Sequence, residues 1–177
     1  MELVEGVHLV DDVFSNVYAF DGSRGVVVID TGVSGQAEKI ASYVEEALRG
    51  EVSFVIITHS DGDHMGSAAA LRRLTGASVA IHREEAEILA GREPPLKGRM
   101  AGREPVMPDL VVHGGEEVTG LRVIHTPGHT PGHVCLYSQE RRVLFGGDSF
   151  VTQESLVLGP SEQYTLDMPG AVESLRG

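Results

Sequence analysis

The chain is poor in cysteine, in basic residues and in long apolar runs. Its 177 residues include one cysteine, Cys135, which excludes an internal disulfide and a cysteine-rich structural zinc site. Lysine and arginine together number 14 against 26 acidic residues, and this balance argues against a nucleic-acid backbone as partner. Any metal ligands must therefore be histidine and carboxylate side chains.

The sequence also has no pattern typical of a membrane span or of an export signal. Glu2 and Glu5 stand where a secretory signal would carry basic residues. No apolar run reaches the roughly 18 residues needed to span a bilayer. We therefore expect a soluble, cytoplasmic protein that does not contact membranes. Its length and 41% hydrophobic content predict a single domain over residues 1–177, with a homo-oligomer left open.

Strand and helix patterns alternate along the chain. Strands are expected at 16–20, 25–30, 52–58, 78–81, 110–113, 121–125, 133–137 and 142–146. Helices are expected at 34–50, 67–74 and 83–90, with a further helix starting at 165. Residues 91–108 are rich in glycine and proline, and so predict one long loop, either a lid or binding segment or a plain connection.

Four side chains that can bind metal lie within six positions, directly after a predicted buried strand. Residues 58–66 read T-H-S-D-G-D-H-M-G and contain His59, Asp61, Asp63 and His64. Leaving these groups unpaired in a dry site would cost a large desolvation energy, so a bound cation is the natural reason for gathering them. The spacing is too tight for one helix face and favours a strand-to-helix loop. The alternative is that they are ordinary turn and cap residues.

Two later runs strengthen the metal hypothesis. Residues 124–133 read I-H-T-P-G-H-T-P-G-H, in which proline and glycine turns hold histidines in a rigid loop. Residues 144–149 read L-F-G-G-D-S, so that a strand delivers Asp148 through two glycines. A carboxylate placed in this way can bridge two cations, because each oxygen can face a different metal.

The order of these motifs resembles the metallo-β-lactamase superfamily of metal-dependent hydrolases, most closely its glyoxalase II-like branch. The matching runs are I-D-T-G, T-H-x-x-x-D-H-x-G, T-P-G-H-T and G-D, at 29–32, 58–66, 126–130 and 147–148. The resemblance implies an α/β (α+β) fold, an αββα sandwich with the metal site at one edge of two packed sheets. Family members usually carry one further strand and a late histidine, so the fold is expected to be C-terminally shortened here.

The resemblance also implies roles for individual residues. It assigns His59 and His129 to the first metal. It assigns Asp63 and His64 to the second metal, with Asp148 as a ligand shared between the two. A hydroxide between the metals would be the nucleophile, and Asp63 would orient it and shuttle its proton. Asp30 and His133 would steady the ligand loops by hydrogen bonds.

Asp61 departs from the family pattern H-x-H-x-D-H, in which a second histidine occupies its place. A carboxylate still binds zinc, at roughly 2.0–2.2 Å, but it is a harder ligand that favours manganese or iron more than imidazole does. We expect Asp61 to be a ligand and Zn²⁺ to be the metal, as one or two ions, with iron or manganese as alternatives. Without the late histidine, a mononuclear site is one expectation: His59, Asp61, His129 and Asp148.

Three functions are consistent with this pattern. The leading hypothesis is a metal-dependent hydrolase that uses metal-bound hydroxide on a small ester, thioester or lactone-type molecule. The second is a mononuclear iron protein resembling persulfide dioxygenases, which share the scaffold. The third is a metal-binding remnant without catalysis. The expected partner is a small-molecule substrate, and no nucleic acid is expected.

Overall fold

The structure is a computed structural model that describes residues 1–22, 24–96, 104–154 and 156–176. The first sheet contains β1 (Glu2–Val4), β2 (Val7–Leu9), β3 (Tyr18–Gly22), β4 (Gly25–Ile29), β5 (Val52–Ile56), β6 (Ser78–His82) and β7 (Leu110–Val112). The second sheet contains β8 (Glu117–Val118), β9 (Leu121–His125), β10 (Val134–Ser138) and β11 (Val143–Phe145). A separate hairpin contains β12 (Val151–Gln153) and β13 (Leu156–Leu158). The helices are α1 (Ala37–Leu48), α2 (Gly62–Met65), α3 (Ala68–Thr75), α4 (Ala86–Leu89) and α5 (Met168–Ser174).

The first sheet changes from antiparallel to parallel pairing at β4. Strands β1 to β4 pair antiparallel, whereas β4, β5, β6 and β7 pair parallel in that order. Parallel neighbours need crossover connections, and helices α1 to α4 lie in the connections between them. The carboxyl ends of β4, β5 and β6 therefore lie at the same edge of the sheet, where the loops that follow them can meet.

Both faces of the first sheet are covered, and β4 shows this residue by residue. Val28 packs with Ile40 and Val44 of α1 in one apolar cluster. The next residue, Ile29, points to the opposite face and packs with Leu136 of the second sheet. Burial on both faces explains why this strand is a continuous apolar run. Helices, first sheet and second sheet thus form layers of an α/β sandwich, which confirms the predicted fold class.

The predicted start of α1 at Ser34 is wrong by a few residues. The helix begins at Ala37. Ser34 Oγ instead donates to the carbonyl oxygen of Gly66 at 3.2 Å, and Ser67 Oγ accepts from the Gln36 N–H at 2.9 Å. These two hydrogen bonds therefore connect the loop before α1 to the segment that follows α2.

Other differences occur where the sequence pattern is short. Asp21 and Gly22 fall between the expected strands at 16–20 and 25–30 but lie inside β3, because they pair with Val26 and Gly25 of β4. Strands β1, β2 and β8 and the β12–β13 hairpin have no counterpart among the expected strands. Within the predicted long loop, residues 91–96 and 104–108 contain no helix or strand, and residues 97–103 lie outside the described part. None of the described helices has the length and apolar character needed to cross a membrane.

Gly66 lies where the segment after α2 passes close to other backbone. A Cβ at this position would lie 2.5 Å from the Gly62 carbonyl oxygen and 2.6 Å from the Ser34 nitrogen. We expect Gly66→Ala to lower the free energy of unfolding by about 1–3 kcal/mol, because the backbone must shift to admit the methyl group. Gly159→Ala is the control, since a Cβ there meets nothing within 4 Å. Urea denaturation measures both, and equal stabilities would contradict the expectation.

Candidate metal centre

The candidate ligands converge from both sheets at the edge where β4, β5 and β6 end. His59 follows β5, and α2 carries Asp63 and His64. The loop between β9 and β10 supplies His129, and a 3-10 turn after β11 supplies Asp148. The first motif lies between a strand, β5, and the helices α2 and α3, as predicted. Residues that lie far apart in the sequence thus meet in one site.

The first group of ligands contains His59, Asp61 and His129. Asp61 Oδ2 lies 3.6 Å from His59 Nε2 and 3.2 Å from His129 Nε2. The three ligand atoms all lie within 4.8 Å of one another, and both histidines are buried. Two imidazoles and one carboxylate are thus placed so that a single cation could bind all three.

The second group contains His59, His64 and Asp148, so that the two groups share His59. Asp148 Oδ1 lies 3.2 Å from His64 Nε2, and its other oxygen, Oδ2, lies 3.4 Å from His129 Nε2. One carboxylate therefore turns one oxygen towards each group. This is the placement that a bridging ligand requires.

One buried ring nitrogen in the site has no hydrogen-bond partner among the residues that the structure describes. His59 Nδ1 lies 3.0 Å from the Thr58 hydroxyl, whereas the buried Nε2 has no hydrogen-bond partner. An unsatisfied buried polar group costs about 1–3 kcal/mol. Imidazole nitrogen and carboxylate oxygen suit zinc, iron and manganese. The unpartnered nitrogen and the donor set therefore fit a divalent metal ion.

Asp30, at the end of β4, orients two residues of the site. Its Oδ1 accepts the Thr58 N–H at 2.8 Å, and its Oδ2 lies 2.8 Å from His64 Nδ1. The backbone of Asp30 has φ of 59°, in the left-handed region that residues other than glycine seldom adopt. The bond to Nδ1 turns Nε2 of His64 towards Asp148. Contacts of this kind fix the ring orientation of a metal-binding histidine.

His64 and Asp148 form an ion pair. Burial alone would lower the pKa of His64, but the carboxylates of Asp30 and Asp148 outweigh it and raise that pKa well above 6.5. Burial alone would raise the pKa of Asp148, but the hydrogen bond and charge of His64 hold it well below 3.8. A cation that binds Nε2 of His64 must therefore displace a proton.

His133 supports the site through hydrogen bonds and belongs to neither group. Its Nε2 accepts the Asp148 backbone N–H at 3.0 Å, so Nδ1 carries the proton and lies 2.8 Å from the Thr126 hydroxyl. Burial and the neighbouring histidines His59 and His129 lower the pKa of His133 well below 6.5. The neutral ring thus holds the backbone at Asp148.

Asp63 lies beside the two groups but in neither of them. Its Oδ2 accepts a hydrogen bond from Ser15 Oγ at 3.0 Å and lies 3.8 Å from His64 Nε2. Its side chain is 42% exposed, whereas that of His64 is 6% exposed. The metal-binding and proton-transfer roles of Asp63 therefore stay predictions. Ser15 has no part in any sequence motif.

Further contacts to the ligands come from residues that sequence reasoning missed. Thr165 Oγ1 lies 3.5 Å from His129 Nδ1, and the Leu166 N–H donates to the His129 carbonyl oxygen at 3.2 Å. Glu85 contacts the loops on both sides of the first group. These residues follow no motif, and no signal in a single sequence could have identified them. His82 accepts from the Glu84 N–H at 3.4 Å and caps a 3-10 turn.

A cleft of about 640 Å³ opens beside the second group. Polar groups of the site line it, among them Asp63, His64 and Asp148. Apolar side chains of β11, of the β12–β13 hairpin and of the residue before that hairpin line it as well and are here called the apolar wall: Leu144, Phe145, Phe150, Val151 and Val157. Two of the candidate ligands, His64 and Asp148, thus line a groove that can hold a small molecule.

Comparison with known proteins relates the chain to a family of metal enzymes. The sequence model of the metallo-β-lactamase superfamily matches residues 10–176. The probable metallo-hydrolase YflN of Bacillus subtilis is 28% identical, over 98% of this chain and 79% of that protein. The hydroxyacylglutathione hydrolase GloC of Haemophilus influenzae is 29% identical, over 73% of this chain and 63% of GloC, less than two thirds of its length. The solved structure of TTHA1623 in a di-iron-bound form is similar with a TM-score of 0.75 and 25% identity, over 96% of this chain and 83% of that one.

Replacing the central histidines should remove most of the bound metal. We expect His59→Ala and His129→Ala each to lower metal occupancy severalfold, because each removes a ligand that the structure buries in the first group. Asp61→His should keep the metal and raise the preference for zinc over manganese, because imidazole is the softer ligand. Elemental analysis of the purified variants measures this. Full occupancy in both alanine variants would rule out the ligand assignment.

The stability of the metal-free protein should depend on pH on both sides of about 6.5, the ordinary histidine pKa. The folded pKa of His64 is raised, so its stabilising contribution is complete below about 6.5 and is lost as pH rises through the folded value. The folded pKa values of His133 and His82 are lowered, so the folded protein loses stability as pH falls below about 6.5. We expect a maximum near that pH. Denaturant titrations of chelator-treated protein test this, and His64→Gln should flatten the alkaline side more than the acidic side.

Proposed function

The chain belongs to the metallo-β-lactamase superfamily, and we propose that it hydrolyses a small ester, thioester or lactone-type substrate. Its membership and its relatives make it a metal-dependent hydrolase in the broad sense. The observation that carries the proposal is the pair of ligand groups that share His59, whose buried Nε2 has no hydrogen-bond partner in the described part of the chain. The cleft beside them gives a substrate access.

The residues present would hold metal ions next to the cleft. His59, Asp61 and His129 would bind the first ion, and His64 with Asp148 would contribute to a second. A bound divalent cation polarises a carbonyl oxygen and lowers the pKa of a coordinated water from about 15.7 towards 7. Both effects promote the hydrolysis of an acyl compound.

Asp63 is the residue that we propose for proton transfer. Its carboxylate lines the cleft, and the hydrogen bond from Ser15 holds it there. It stands next to the ligand His64 without being part of either ligand group. A carboxylate that is exposed to the cleft can take a proton from a water and deliver it to a leaving group.

The apolar wall of the cleft favours a substrate with an apolar part next to the scissile bond. Val157 and Val151 of the hairpin are 69% and 40% exposed, although both line the cleft. Covering such side chains gains about 25 cal/mol for each Å² of apolar surface. GloC is named for the hydrolysis of a hydroxyacylglutathione, which is a thioester, and this supports a thioester among the candidates.

Zinc is the proposed metal, and iron is the alternative that Asp61 supports. His59, Asp61 and His129 are two imidazoles and one carboxylate, the ligand set of many non-haem iron oxygenases. TTHA1623 has been solved in a di-iron-bound form. A mononuclear iron protein that resembles persulfide dioxygenases is therefore the second candidate function, and a metal-binding protein without turnover is the third.

Activity assays with defined metals should separate these candidates. We expect the zinc-loaded protein to hydrolyse members of a panel of short acyl thioesters, aryl esters and lactones, and chelation to abolish the activity reversibly. Asp63→Asn should lower kcat by about 10²–10⁴-fold, because it removes the proton acceptor. Coloured, iron-containing protein that consumes oxygen with a persulfide would favour the dioxygenase. Bound metal without turnover on either panel would favour the third candidate.

The apolar wall can be tested with a matched pair of variants. Val157→Asp should raise KM about tenfold for substrates with a longer acyl chain, because it places a charge on the wall that would cover the chain. Leu74→Asp is the control, since Leu74 is 54% exposed on α3 and does not line this cleft. A series of thioesters of increasing acyl length measures KM. An unchanged KM in Val157→Asp would contradict the proposed wall.

A further inference from the structure

Glu85 is a fully buried carboxylate that lies outside the two ligand groups. It ends the 3-10 turn after β6, and its relative exposure is 0%. Burying a carboxylate is costly unless hydrogen-bond donors replace its water. Three donors surround this one, and all three belong to the loops that carry metal ligands.

The two oxygens of Glu85 face two different loops. Oε2 accepts the backbone N–H of Ser60, the residue between the ligands His59 and Asp61. Oε1 accepts the N–H of Gly132 at 2.8 Å and the hydroxyl of Thr130, the residue after His129. One side chain therefore joins the segments that contribute all three ligands of the first group.

The second glycine of the T-P-G-H-T-P-G-H run makes this contact possible. A Cβ on Gly132 would lie 2.7 Å from Glu85 Cγ and 3.0 Å from Glu85 Oε1. Only a residue without a side chain lets the loop approach the carboxylate this closely. Thr130 and Gly132, which the metal-ligand assignment leaves without a role, are both accounted for by Glu85.

We propose that Glu85 is a positioning residue that sets the spacing between the His59–Asp61 segment and His129 in the first metal group. It touches neither the metal ligands' donor atoms nor the cleft. Its effect is to hold two loops from different sheets at a fixed separation, so that the ligands are arranged before a metal arrives. The inference rests on the metal site of the proposed function but not on hydrolysis.

Glu85→Gln separates the two halves of the contact. The amide has one acceptor oxygen, which should remain with Thr130 and Gly132 because they offer two donors. Its NH₂ group then faces the Ser60 N–H, which loses its acceptor. In metal-free protein we expect amide hydrogen exchange at Ser60 to accelerate about tenfold, while Gly132 stays protected. Exchange read by NMR measures both amides, and an unchanged rate at Ser60 would overturn the proposal.

Metal binding provides the second readout. We expect Glu85→Gln to weaken cobalt(II) binding by about 10–100-fold, in the range found for residues that orient metal ligands. The visible absorption of bound cobalt should also change, because it reports the ligand geometry. Val44→Ala is the control: Val44 is buried in α1 on the opposite side of the first sheet from β10, and its truncation destabilises the fold without touching either loop.

The outcomes distinguish positioning from general stability. Loss of cobalt affinity in Glu85→Gln but not in Val44→Ala supports the proposal, whereas equal losses or a wild-type cobalt spectrum overturn it. If Glu85→Gln does not fold, Thr130→Val should weaken cobalt binding and Thr130→Ser, which keeps the hydroxyl, should restore it. Wild-type protein that binds no metal would contradict the proposed function, while exchange at Ser60 in metal-free protein would still decide the role of Glu85.

Discussion

The parallel pairing of β4, β5 and β6 is the constraint on which the site depends. Because these strands run in one direction, Asp30, Thr58 and Glu85 all emerge at the same edge of the first sheet. The hydrogen bond from the Thr58 N–H to Asp30 joins the first two strand ends at 2.8 Å. The second sheet then needs only to deliver His129 and Asp148 to that edge. The shared strand direction therefore determines where the metal ligands meet.

Much of the site could be predicted because its ligands are concentrated in short runs. His59, Asp61 and His64 lie within six positions, and the predicted ligands His129 and Asp148 each follow a strand. Their meeting is a consequence of strand direction and of the resemblance to a known family. The two apolar faces of β4 could likewise be predicted from its unbroken apolar run. Chemical type and local spacing were sufficient for these features.

The rest depends on contacts that one sequence does not encode locally. Ser34 has the pattern of a helix cap, yet its hydroxyl bonds Gly66, 32 residues away. Glu85 looks like one acid among 26, and only its burial between two loops distinguishes it. Asp63 belongs to the motif, but Ser15 draws its carboxylate to the side of the ligand groups. Tertiary partners override local preference in each case.

Two demands meet at Asp30 and cannot both be satisfied by another residue. Its left-handed backbone, with φ of 59°, is the conformation that glycine or asparagine adopts more readily. Its carboxylate, however, accepts from Thr58 and faces His64 Nδ1, and neither glycine nor asparagine offers two equivalent acceptor oxygens. Backbone strain and ligand orientation therefore compete at this position, because a residue that fits the left-handed backbone better would lack the second acceptor oxygen.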